Sequence, residues 1–166
     1  TGEVETVPVR QKTAKGGGVI IDGIENCLVK ISHCCNPLPG DDIIGFITRG
    51  YGVSVHKRDC TNVPVNIELA PEPERWIKAH WDSKVRSDFN SGIIINCVNR
   101  RGLLLDVTAQ LDAMRVDIHS VNTQNIKEGK GILSLVITVS GVDHLKKVIN
   151  KLSRIDGVID VSRSNI

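Results

Sequence analysis

The chain has 166 residues, 40% of them hydrophobic and 24% charged, which suits one medium domain or two small ones. No apolar run approaches the roughly 20 residues of a membrane-spanning helix, and the polar opening Thr1 to Lys15 has no export-signal core. Residues 1–82 hold 9 Lys/Arg against 11 Asp/Glu (net −2) and residues 83–166 hold 12 against 8 (net +4), so the second half leans towards anionic partners. Thr1 to Gly18 shows no period and ends in Gly16-Gly17-Gly18, which predicts a flexible lead-in over 1–18. From Val19 the texture turns to short strands. Val19-Ile20-Ile21 and Leu28-Val29-Lys30-Ile31 flank turn residues Gly23 to Asn26. Ile43 to Thr48 and Val53 to His56 flank Arg49-Gly50-Tyr51-Gly52, a hairpin signal. Between these pairs, Cys34-Cys35-Asn36-Pro37-Leu38-Pro39-Gly40-Asp41 holds two prolines and a glycine, which forbid regular structure. Arg75 to Trp81 alternates and reads as the last strand of a first module, residues 19–83.

The second module, 84–166, is more regular. Ile93 to Val98 is an apolar strand. Leu104, Val107, Thr108, Leu111 and Met114 recur at helical spacing. Val116 to Gln124 reads as a strand, Lys127 to Gly131 as a turn, and Ile132 to Val139 as a strand buried at a sheet centre. Leu145, Val148, Ile149, Leu152 and Ile155 mark an amphipathic helix, Gly157 its C-cap glycine, and Val158 to Val161 a closing strand. The order β-α-β-β-α-β is the ferredoxin-like split arrangement. The whole is therefore expected to be α+β, a small β-rich module followed by a ferredoxin-like domain.

Chemistry concentrates in the first module. Five cysteines cannot all pair internally, and clustered thiols in a reducing cytoplasm point to metal or thiol chemistry. Cys34, Cys35, His56 and Cys60 supply the thiolate and imidazole ligands that a closed structural zinc site uses. His56 and Cys60 are one helical turn apart, but Cys34 and Cys35 are adjacent and can share an ion only if the chain turns sharply there. Buried structural cysteines are the alternative, and a catalytic thiol lacks an accompanying acid–base group. Lys30, Arg49, Lys57 and Arg58, with His33, Tyr51 and His56 as possible stackers, could meet RNA phosphates and bases, or form a solvated face. In the second module Asn99 and Gly102 open the first helix, where backbone N–H groups could hold a carboxylate, and Arg100 and Arg101 add positive charge.

Three segments resemble known families. Leu28-Val29-Lys30-Ile31-Ser32-His33-Cys34-Cys35-Asn36-Pro37-Leu38-Pro39-Gly40-Asp41, then Ile44-Gly45-Phe46-Ile47-Thr48-Arg49-Gly50 and Gly52-Val53-Ser54-Val55-His56-Lys57-Arg58-Asp59-Cys60, resemble the signature near the C-terminus of long Rel/SpoT (p)ppGpp synthetases/hydrolases. The remainder, opening its helix with Asn99-Arg100-Arg101-Gly102-Leu103-Leu104, resembles the ACT domain that closes those proteins. The resemblance implies a zinc-finger-like module on Cys34, Cys35, His56 and Cys60, and a non-catalytic regulatory fragment of a cytoplasmic protein whose catalytic domains lie upstream. It further implies contact of the first module with deacylated tRNA on the ribosome and of the ACT domain with ribosomal RNA. Amino-acid binding, of a branched-chain type, would use Asn99, Gly102 and Asp117. Pairing of ACT domains implies a homodimer. The sole methionine, Met114, fits a piece of a longer protein. A free-standing amino-acid sensor acting on an attached enzyme is the rival reading, and an enzyme with a Cys/His active site a third.

Overall fold

The structure, a computed structural model, describes residues 13–24, 27–50, 52–85 and 88–165. The first module is a six-stranded sheet of β1 (Thr13–Gly16), β2 (Val19–Asp22), β3 (Leu28–Ile31), β4 (Ile43–Thr48), β5 (Gly52–Lys57) and β6 (Trp76–Trp81), in the order β1-β2-β6-β4-β5-β3. The expected lead-in over 1–18 needs correction at its end. Residues 13–16 form β1, paired antiparallel with β2. The glycines that read as linker are the hairpin turn: Gly17 and Gly18 take φ of 57° and 79°, the double positive φ that a two-residue hairpin requires. Residues 1–12 lie outside the described part.

Alternation in β4 and β5 turns Ile43, Val53 and Val55 inward against Val19 and Ile21 of β2. Gly45, at the centre of β4, lets β5 and β6 approach. A Cβ there would sit 2.8 Å from Val53 Cγ1 and 3.2 Å from Ile77 Cγ1. β3 runs parallel to β5, which delivers its C-terminal end, and the cysteine turn that follows, to the end of β5 that carries His56. A smaller core of Cys35, Cys60 and Val63, backed by Ile44, Ile67 and Trp76, lies under these loops.

The second module follows the expected order: β7 (Phe89–Val98), α1 (Leu103–Ala113), β8 (Ile118–Asn125), β9 (Lys130–Val139), α2 (Val142–Ser153) and β10 (Val158–Ser164). The antiparallel sheet runs β10-β7-β9-β8. Ile93 and Ile95 of β7 and Leu133, Leu135 and Ile137 of β9 pack under Val107 and Leu111 of α1 and Leu145, Val148 and Leu152 of α2. One detail differs. Arg154 caps α2, and Gly157 (φ 91°) serves the turn into β10 instead, where Val158 N–H bonds the Ile155 carbonyl at 3.1 Å.

The two modules are in contact. Leu38, fully buried, belongs to the core of the second module although it lies in the Pro-rich loop of the first. The Pro39 carbonyl accepts the Val142 N–H at 2.9 Å, and Trp81 meets Phe89 edge-on with ring centroids 5.7 Å apart.

Candidate metal centre and its surroundings

The Cys34–Cys35 turn forms because Asn36 N–H bonds the Ser32 carbonyl at 3.0 Å while Asn36 adopts φ 42°. Asparagine tolerates the left-handed region, and a following proline disfavours the right-handed helical one. This sharp turn is what lets adjacent cysteines face one point. His56 ends β5, and Cys60 returns through a turn in which its N–H bonds the Lys57 carbonyl at 3.0 Å.

Cys34 Sγ lies 3.2 Å from His56 Nδ1, 3.7 Å from Cys60 Sγ and 3.9 Å from Cys35 Sγ, and Cys35 Sγ is 3.9 Å from His56 Nδ1. All four ligand atoms lie within 4.8 Å of one another. Zinc–sulfur bonds of about 2.3 Å and zinc–nitrogen bonds of about 2.0 Å put tetrahedral ligand atoms roughly 3.5–3.8 Å apart. The donor set and its spacing therefore fit a closed zinc site. A disulfide would need sulfur atoms at about 2.05 Å, and all five cysteines are free thiols.

Burial raises the Cys35 thiol to about 12, against the opposing backbone N–H of Lys57, which donates to its sulfur at 3.3 Å. At Cys34, burial works against ionisation, but hydrogen bonds with Asn62, Cys60 and Cys35 outweigh it and hold the thiol below its ordinary value. Burial also lowers His56, favouring the neutral imidazole that coordinates metal. A cation would supply what the buried Cys35 thiolate needs. Asn62 had no signal in the sequence beyond its place two residues after Cys60.

The basic residues divide. Lys30 and Arg49 are exposed, on β3 and in the β4–β5 turn. Arg58 is consumed internally, donating to the Pro64 and Val65 carbonyls at 2.9 and 3.0 Å, and Lys57 pairs with Asp59 at 3.5 Å. Arg101 is exposed. Arg100 instead clips the start of α1, bonding the Asp156 carbonyl at 2.8 Å, the Arg101 carbonyl at 3.1 Å and Asp106 at 2.6 Å. Arg58 and Arg100 thus each hold local structure through part of their guanidinium donors. His56 points into the cysteine cluster, not outward as a stacker, and Tyr51 lies outside the described residues.

Asn99 and Gly102 line a cavity of about 230 Å³ with Leu103, Thr123, Gln124 and Asn125. Asp117 does not join them. The Asn99 N–H bonds Gly129 beside the start of β9, whereas the Asp117 carbonyl accepts from Thr138 near its end, roughly 30 Å of extended strand away.

Residues 19–82 match the RelA/SpoT RIS domain and residues 86–163 the ACT domain. Together these models account for nearly the whole described chain. The chain is a RIS–ACT region of the RelA/SpoT family. It is 38% identical over 146 residues to a Streptomyces coelicolor GTP pyrophosphokinase, covering 88% of this chain and 17% of that one. It is 35% identical over 158 residues to the Mycobacterium tuberculosis bifunctional (p)ppGpp synthase/hydrolase RelA, covering 95% and 20%. The RIS–ACT region thus spans about a fifth of the length of these curated relatives. The ACT domain from a Chlorobium tepidum GTP pyrophosphokinase is 28% identical, with a TM-score of 0.42 over 47% of this chain and 100% of that one. Among the described residues no helix is long and apolar enough to cross a membrane.

Proposed function

We propose that this RIS–ACT region regulates the catalytic domains of a cytoplasmic bacterial (p)ppGpp synthetase/hydrolase and performs no catalysis itself. In this reading it reports amino-acid starvation by contacting the ribosome and deacylated tRNA. The observation that carries the reading is the RIS–ACT pairing in a chain whose relatives are named GTP pyrophosphokinases. Cys34, Cys35, His56 and Cys60 would hold a structural zinc that orders the RIS loops. Lys30 and Arg49, with Arg101 on the ACT side, are exposed cations that would meet RNA phosphates. In the parent protein, the doubly substituted K30A/R49A variant is expected to keep its basal (p)ppGpp synthesis and lose most of its stimulation by ribosomes carrying deacylated tRNA. Equal stimulation of variant and wild type would exclude this surface and this reading of it.

The cavity at Asn99 and Gly102 favours a second reading, an amino-acid sensor that pairs through its ACT domain. The exposed edge strand β8 and the exposed Leu105 offer a pairing surface. Calorimetry with branched-chain amino acids, alongside sedimentation over a range of concentrations, separates the two.

A further inference from the structure

We propose that Arg163, at the far end of the ACT domain, is a positioning residue for the Cys/His centre of the RIS domain, and that the two sites are thermodynamically coupled through the loop Asn36–Asp41. The inference rests on the zinc reading above and extends it to residues 127 positions apart.

Arg163 lies on β10, opposite Ile93 of β7. Its Nη2 donates to the Asn36 carbonyl at 2.9 Å and to Asp41 Oδ2 at 2.8 Å, and its Nη1 donates to Asp41 Oδ1 at 2.9 Å. Both partners are largely buried, with side chains 21% and 11% exposed. A planar guanidinium suits this task because it can grip a carboxylate and a carbonyl at once, in a fixed geometry. The grip is reinforced within the loop. Asp41 Oδ2 also accepts the Leu38 N–H at 2.7 Å, and the Asp41 carbonyl accepts Trp81 Nε1 at 3.0 Å. Leu38 is plugged into the ACT core and Pro39 is bonded to the first residue of α2.

Asn36 is the junction. Its carbonyl is held by Arg163, and its left-handed backbone makes the turn that brings Cys34 and Cys35 to one point. Were Asn36 to relax towards the extended region, its carbonyl would leave Arg163 and the two thiols would diverge. The ligand geometry is therefore braced from the ACT domain. By reciprocity, whatever fixes the thiols must steady the ACT contact.

The test uses the intact chain, loaded with zinc and titrated with a competing chromophoric chelator. Removing the fork with Arg163→Met is expected to weaken zinc binding about tenfold, the lower end of what outer-shell partners contribute. Arg163→Lys, retaining one cationic contact, should fall between. Leu152→Ala, which damages the ACT core remotely, should lower the melting temperature while zinc affinity stays at the wild-type value. Hydrogen exchange supplies the reciprocal readout. Stripping zinc from wild type should speed exchange of the Val142 amide, whereas in Arg163→Met it should already be fast. Unchanged affinity in Arg163→Met overturns the coupling and leaves the zinc reading standing. The same is true if Leu152→Ala weakens zinc as much, which would reduce Arg163 to general stability. A wild-type chain that takes up no zinc overturns both.

Discussion

Five thiols in one chain have two fates, and their neighbours decide which. Cys34, Cys35 and Cys60 converge with His56, their ligand atoms all within 4.8 Å of one another. Cys97 is buried within the ACT core beside the Gly131 carbonyl, and Cys27 packs against the β2–β5 core. Metal analysis of protein purified without chelator is expected to give about one zinc per chain, as four-ligand structural sites do. Cys60→Ser should lose that zinc, and Cys27→Ser and Cys97→Ser should retain it. Loss of metal from either of the last two would remove the present ligand set. The ligand types were readable because thiolate and imidazole announce themselves. The convergence of adjacent cysteines was not, since it depends on the single backbone setting of Asn36.

Among the elements, the β4–β5 hairpin and the helices α1 and α2 stand where period and turn signals put them. β1 is hidden in the sequence for a physical reason. A run of three glycines serves a linker and a type I′ turn equally well, and only pairing with β2 distinguishes them. Gly45 shows the same limit within a strand. Its backbone is ordinary, but an added methyl would press on Val53 and Ile77. Gly45→Ala is expected to destabilise the RIS sheet by about 1–3 kcal/mol, the usual cost of overpacking, measured by urea denaturation followed at Trp76 and Trp81. A change below about 0.5 kcal/mol, typical of an unremarkable surface site, would mean that β5 and β6 give way easily.

For the whole molecule, the loop between the cysteines and β4 matters most. Prolines and a glycine predicted irregular structure there, and irregular it is. What they did not predict is that Leu38 leaves its own module to complete the core of the next. Leu38→Ala should cost about 2–5 kcal/mol, as buried leucine truncations do, and should separate one unfolding transition into two as RIS and ACT lose their shared contact. Calorimetry reads both effects. A single transition at the wild-type temperature would show that the modules fold independently of the plug.

By itself, the sequence determined the two-module order, the βαββαβ arrangement and the candidate ligands Cys34, Cys35, His56 and Cys60. These rest on local period and on side-chain chemistry, which need no knowledge of distant residues. Tertiary structure alone decided which carbonyls Arg58 and Arg100 hold, that Asp117 stands apart from Asn99 and Gly102, and that Arg163 reaches Asn36 and Asp41. A guanidinium binds whatever carbonyl or carboxylate the fold presents within about 3 Å, and those acceptors come from loops up to 127 residues away in the chain.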